Sequence, residues 1–310
     1  MKRFAIKDYG VAKDVMITIE AEPRTVDATH VRVEIQAFAI NPYDIALRQG
    51  AMRAFRTVKF PYVLGNDGAG IVTEVGDAIT HVTVGDKVII HAVSGTYGEE
   101  IVVPGKKVVK KPASMTWESA AGAVTPWLTT YNLTTHLLKD RIGETVMVQG
   151  ASGAVGSLLV QFLKHQGKRV LTSASKQNEA LVRQLGADQF AAYDEVDAGE
   201  VFADMADTVI DATKGGRASE AGMKIMKAGG NFVALNELPK EQKKAGNYVA
   251  FGPSKDYSDA EALTALTELS DEIHVPIAEV RQFDLANVIA AHETVEGHPA
   301  AGKIIIKRME

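Results

Sequence analysis

The chain contains no cysteine. That excludes a disulfide framework, a thiol nucleophile and every zinc site built on thiolates. It also lacks an excess of positive charge: 34 Lys and Arg stand against 39 Asp and Glu, a formal net charge of −5. No basic footprint therefore argues for nucleic acid. The longest basic clusters, Lys106-Lys107 and Lys110-Lys111, read as a solvated edge. The opening MKRFAIKDYG has basic residues but no apolar run long enough for a signal peptide. No stretch approaches the roughly 18 consecutive apolar residues of a membrane span. These absences lead to the expectation of a soluble, cytoplasmic protein. What is present is 310 residues, 46% of them hydrophobic, enough for one large core or two ordinary ones.

The first 115 residues or so carry short β-like runs separated by Gly, Pro and Asp: HVRVEIQAFAI (30–40), GIVTEVG (70–76), GDKVIIHAV (85–93) and EEIVVPG (99–105). Val and Ile alternating with polar residues predict half-buried antiparallel strands, and the recurring glycines predict bulges or barrel corners. Thr116 to Leu138 reads as one or two helices. From Glu144 to Gly252 strands (TVMVQG, RVLTSA, QFAAY, DTVIDAT, NFVALN, YVAFG) alternate with helices such as 178–186 and 217–230. That alternation predicts a parallel, doubly wound sheet. Helices at 259–271 and 284–296 and a closing strand, GKIIIK (302–307), end the chain. The reading is α/β: a β-rich domain over 1–118 and 254–310, interrupted by a nucleotide-type domain over 119–253.

Val146 to Gln149 reads as a buried strand, and Ala151-Ser152-Gly153-Ala154-Val155-Gly156 follows it. This is the dinucleotide fingerprint with its first glycine softened to alanine. Val155, Leu158, Leu159, Phe162 and Leu163 then form one apolar stripe of a helix. Gly153 would let backbone N–H groups approach a pyrophosphate, and Gly156 would let helix pack on strand. Five further strands fall where a nucleotide fold needs them, so the loop reads as a phosphate cradle. An enzyme selecting a plain ribose keeps an acidic residue near the end of the second strand. Here that place holds Ala174, with Ser175 and Lys176 after it. Small, hydroxyl and ammonium groups suit a 2′-phosphate, hence NADPH. A solvated Ser-Lys pair opening the next helix is the alternative.

With these motifs the chain resembles the medium-chain dehydrogenase/reductase superfamily, particularly its zinc-free quinone oxidoreductase branch related to zeta-crystallin. The resemblance runs nearly end to end, through AINPYDIALRQG (39–50), FPYVLGNDGAGIVTEVG (60–76), VGDKVII (84–90), AVTPWLTTY (123–131), the glycine loop, VIDAT (209–213) and GHPAAGKIII (297–306). It implies a GroES-like catalytic domain and a Rossmann domain. Zinc-dependent members place a cysteine and a His-Glu pair where this chain has Asn41 and Asn66-Asp67. The four-cysteine structural lobe is also missing, and no two of the eight histidines pair at i,i+4 spacing. Without a Lewis acid, alcohol dehydrogenation is disfavoured and an acceptor that is already activated is favoured.

The resemblance thus implies a zinc-independent transfer of hydride from NADPH to a quinone or conjugated enone. A 2-alkenal reductase and a non-catalytic NADPH-binding sensor are the alternatives. Asn41, Tyr43 and Asp44 are the candidates for the acceptor pocket. Each also has a plain structural reading: a turn at Asn41-Pro42, packing at Tyr43, a helix cap at Asp44. For the cofactor the resemblance adds Thr125, Phe251 and Ser254 at the nicotinamide end, and Tyr193 and His298 near the adenine phosphate. It also places YVAFG at a sheet edge, which predicts a homodimer.

Overall fold

The structure is a computed structural model that describes residues 1–22, 24–297 and 301–309. It divides into two units, Met1–Thr125 with Asp259–Glu310, and Pro126–Ser258. The chain passes from one to the other inside the helix Trp117–Tyr131. Among the described residues no helix is long and apolar enough to cross a membrane.

In the first unit the strand His30–Ala39 is the hub. It pairs antiparallel with Asp67–Val75, with Glu100–Pro104 and with the closing strand Lys303–Lys307. Its alternating burial puts Val31, Val33 and Ile35 into a core with Phe4, Ile6, Val88, Ile90 and Ile304. The register slips between Arg32 and Val33 and again between Ile35 and Ala37, and the residues left over are Thr73 and Gln36, not the glycines at which the sequence pattern places bulges. A smaller sheet orders Met16–Glu20, Lys2–Ile6 and Tyr62–Val63.

In the second unit six strands form a wholly parallel sheet. In space they run Gln189–Ala192, Arg169–Ala174, Thr145–Gln149, Ala206–Asp211, Met226–Ala234 and Asn247–Ala250. Both faces are covered. Val146 and Val148 enter one core with Leu159, Leu163 and Val170, while Met147 enters another with Leu171, Val209 and Phe232. A strand buried on both faces reads as an unbroken apolar run, which is how TVMV reads. The chain order reverses direction at Thr145–Gln149, the topological switch point at which folds of this kind hold ligands.

One predicted helix is shorter than its pattern. The run 217–230 is helical only over Ser219–Ile225, and a strand starts at Met226. Met226 is fully buried and pairs with Ala206, so sheet pairing overrides helix propensity there. Gly229, at φ +80°, could not continue the helix.

Candidate cofactor loop and a buried polar network

The glycine loop leaves the switch-point strand Thr145–Gln149 and enters the helix Ala154–His165. Gly150 turns the chain at φ +76°, and the N–H groups of Gly150 and Ala151 both donate to Ser173 O, at 3.0 and 3.1 Å. A Cβ on Gly156 would lie 2.2 Å from Gly150 O and 2.9 Å from Ala151 Cα, so only glycine lets the helix pack this closely on the loop. A Cβ on Gly153 would meet nothing nearer than Gly150 O at 3.4 Å. That side of the loop is open to an approaching group. Gly153 is the helix N-cap, and among the described residues no side chain caps the helix, so the positive end of its dipole is unmatched by a side-chain acceptor there. Ser152, Ala154 and Val155 are half-buried along this turn.

Ser175 and Lys176 follow the second strand. The Ser175 hydroxyl accepts from Asn178 Nδ2 at 3.0 Å. The Lys176 ammonium lies 2.9 Å from Glu179 and 3.5 Å from Glu195, which hold its pKa above the ordinary lysine value. Its positive charge is thus already matched by carboxylates. Ala174 is buried in the core of the unit and Tyr193 is largely exposed. Phe251 stacks on Tyr257 with ring centroids 5.8 Å apart, and Ser254 bonds to the exposed Asp256. His298 lies outside the described residues.

The first unit holds a buried polar network around the helix Pro42–Arg48. Asn41 caps that helix, and Asp44 closes the capping box by accepting from Asn41 N–H at 2.9 Å. Asn41 Nδ2 donates to Asp67 at 2.9 Å, and Lys303 Nζ donates to Asn41 Oδ1 and to Ile40 O. Thr125 donates to Asp67 twice, from its backbone N–H at 3.0 Å and its hydroxyl at 2.6 Å. Asn41, Asp44, Asp67 and Lys303 are all buried.

A directed chain of bonds completes the network. Arginine only donates, so Arg48 Nε, 3.3 Å from His292 Nδ1, makes that nitrogen an acceptor. His292 is then neutral and donates from Nε2 to Tyr97 Oη at 3.1 Å, and Tyr97 donates to Asp44 Oδ2 at 3.1 Å. Burial, with the charge of Arg48, holds the His292 pKa down to about 3. Burial and the neighbouring Asp44 push the Tyr97 phenol well up. The Asp44 carboxyl is pushed up to about 7, chiefly by burial and further by Asp67; the bond from Asn41 N–H opposes this. Burial lowers the Lys303 ammonium, against the raising charges of Asp67 and Asp44.

The three pocket candidates therefore differ in kind. The side chain of Asn41 is engaged at both ends, and Asp44 is fully buried. Tyr43 is half-buried, and its oxygen accepts from Arg56 at 2.8 Å. Its own hydroxyl hydrogen has no acceptor among the described residues, so it remains available to donate. Tyr97, Lys303, His292 and Arg48 escape sequence reading, because the contacts that define them join residues 195, 244 and 262 positions apart.

Residues 27–113 match the family model of the alcohol dehydrogenase GroES-like domain, and residues 185–306 match that of the zinc-binding dehydrogenases. The residues present do not fit the zinc of the second name: the chain has no cysteine, and among the described residues no three His, Asp or Glu side chains group to hold a metal ion. The chain is 29% identical to the quinone oxidoreductase of Mus musculus over 60% of its own length and 56% of that protein. It is 30% identical to the chloroplastic NADPH-dependent alkenal/one oxidoreductase of Arabidopsis thaliana over 76% of its length. That match covers 62% of the Arabidopsis protein, so the chain spans less than two thirds of either relative. In fold it is similar to the Escherichia coli quinone oxidoreductase solved with NADPH, at TM-score 0.85 and 23% identity, over 99% of this chain and all of that one.

Proposed function

We propose that this chain, a member of the medium-chain dehydrogenase/reductase superfamily, is an oxidoreductase moving a hydride from NADPH to a quinone or conjugated enone without a catalytic metal. The observation that carries this reading is the glycine loop at the switch point of the parallel sheet, open at Gly153 and leading into a helix that no side chain among the described residues caps. Ser152 to Gly156 would hold the pyrophosphate, and Ser175 and Lys176 the 2′-phosphate. Bound NADPH supplies the hydride. The chain's part is to bind, orient and stabilise charge. Tyr43, backed by the guanidinium of Arg56, is the donor suited to an acceptor oxygen on which negative charge builds. The network of Asp44, Asp67, Lys303 and His292 anchors the helix that carries Tyr43.

Steady-state turnover of NADPH with a panel of quinones, enones and 2-alkenals tests the reading, before and after exhaustive chelation. Turnover that chelation leaves unchanged, in protein without stoichiometric zinc, is the expected result. Micromolar NADPH binding with no turnover of any acceptor would favour a sensor, and one bound zinc that activity tracks would overturn the metal-free proposal.

The cofactor preference rests on Ser175 and Lys176 together, and Lys176 carries the smaller share. Changing Lys176 to Ala should reduce the preference for NADPH over NADH in kcat/KM by about three- to tenfold, because an exposed charge already paired with Glu179 and Glu195 adds little. The change should fall in KM, since the adenine end is remote from hydride transfer. An unaltered preference would mean that Lys176 takes no part in holding the 2′-phosphate.

Assembly is part of the proposal. Asn247–Ala250 is an edge strand of the six-stranded sheet, and no strand among the described residues pairs with its outer side. A homodimer with continuous sheets pairs that side. Light scattering at working concentration should give twice the chain mass, and a monomer would count against it.

A further inference from the structure

Asn178 ends the short turn Lys176–Asn178, and its side chain lies between the glycine loop and the end of the second strand. Nδ2 donates to Ser152 Oγ at 3.1 Å and to Ser175 Oγ at 3.0 Å. A carboxamide nitrogen carries two hydrogens, so both are spent on the two serines. Each hydroxyl then has one lone pair engaged and its own hydrogen unspent. Among the described residues neither hydroxyl donates to an acceptor. The nearby carboxylates are occupied elsewhere: Asp194 accepts from Lys176 N–H, Glu179 is paired with Lys176 and Arg183, and Glu195 with Lys176.

A serine hydroxyl left to itself can present either a hydrogen or a lone pair. With a fixed donor on one side of its oxygen, the outward presentation is biased towards the hydrogen. An anion needs that hydrogen. We propose that Asn178 is a positioning residue that turns Ser152 and Ser175 into paired donors for two phosphate groups of one dinucleotide, Ser152 at the pyrophosphate and Ser175 at the 2′-phosphate. The proposal rests on the dinucleotide reading of the loop. It adds a single side chain through which both ends of the phosphate site are set together.

Asn178→Asp is nearly isosteric and inverts the polarity: a carboxylate accepts from both serines and draws their hydrogens inward. Asn178→Ala removes the clasp without replacing it. Calorimetric titration with ADP and with adenosine 2′,5′-bisphosphate reads the site without turnover. N178A should weaken both by about three- to tenfold, and N178D by about 30- to 100-fold. In turnover, KM for NADPH should rise in parallel while kcat at saturation changes less than about twofold. Ser152→Ala should cost more with ADP, and Ser175→Ala more with the 2′,5′-bisphosphate.

Placing Asn178→Asp in a Ser152→Ala, Ser175→Ala background separates bond polarity from plain charge repulsion. The penalty should shrink to a small residue once the serines are gone. N178D binding no worse than N178A, or a penalty that persists in full without the serines, would overturn the proposal and leave the dinucleotide reading standing. A wild-type protein that binds neither ADP nor NADPH would overturn both.

Discussion

Replacing Lys303 with methionine should cost about 3–5 kcal/mol of stability at pH 8, the typical loss when one partner of a buried charge cluster is removed. Lys303 is buried beside Asp67 and Asp44 and bonds to Asn41 Oδ1 and Ile40 O. Without it, two buried carboxylates lose their cation and two acceptors lose their donor. The pH dependence identifies the cause. In the folded chain the Asp44 carboxyl sits at about 7, above the roughly 3.9 of an unfolded aspartate. Between those values the folded state keeps a proton that the unfolded state has released, so stability falls as pH rises through the window. Loss of the Lys303 charge moves Asp44 further up and extends the window past neutrality. The difference between wild type and Lys303→Met, read by urea unfolding of the full chain, should therefore be larger at pH 8 than at pH 5. Asp44→Asn in the same background should flatten that difference. A loss that is equal at both pH values, or larger at pH 5, would show that the cluster does not work this way. His292, held near 3, titrates alike in both proteins and cancels.

Two alanine substitutions in the glycine loop should separate folding from binding. At Gly156 a new Cβ would meet backbone at 2.2 and 2.9 Å, and neither the loop nor the strand end can give way as a flexible side chain would. The helix must shift off the loop. Gly156→Ala should cost about 1–3 kcal/mol of stability, as overpacking does. It should also weaken NADPH by about 100-fold or more, because displaced N–H groups no longer converge on the pyrophosphate. Gly153 is different: its φ of −72° suits alanine and the nearest atom stands at ordinary contact distance. Gly153→Ala should fold with unchanged stability and still lose about 10- to 100-fold in NADPH affinity, since the methyl occupies the side from which the pyrophosphate approaches. Fluorescence titration with NADPH and thermal unfolding of both variants check this. A Gly153→Ala protein that binds NADPH as wild type does would mean that the loop is a turn and not a cradle.

Much of the second unit was legible in the chain itself, because its signals are local. All six of its strands announce themselves as apolar runs between turn residues, and the glycine loop falls between a strand and a helix as it must. The cores on both faces follow from TVMV and from the 3.6-residue stripe of the next helix. At 217–230 the local signal misled: it read as one helix, and the pairing of Met226 with Ala206 ends that helix at Ile225. The meaning of Lys176 was also beyond local reading. Its partner Glu195 lies 19 positions on, and only the fold shows that its ammonium is already matched.

The first unit divides differently. Alternation identified the strands around 30–40, 70–76, 85–93 and 99–105, but Lys2–Ile6, Met16–Glu20 and Ile277–Gln282 went unread. The absence of cysteine excludes thiolate zinc ligands from sequence alone, and the resemblance puts Asn41 where zinc-dependent members have one. Neither observation says what Asn41 does instead. Tertiary structure decided that: it brings Lys303 onto Asn41 across 262 positions and His292 onto Tyr97 across 195. Hydrophobic period and turn chemistry depend on neighbours a few residues apart, so composition and spacing determine elements, faces and phosphate loops. A buried charge network depends on which distant groups share one water-free volume, and chain closure alone settles that. Asp44 read in sequence as a plausible helix cap, and it is one; its near-neutral carboxyl exists only because the fold also removes its water and sets Asp67 beside it.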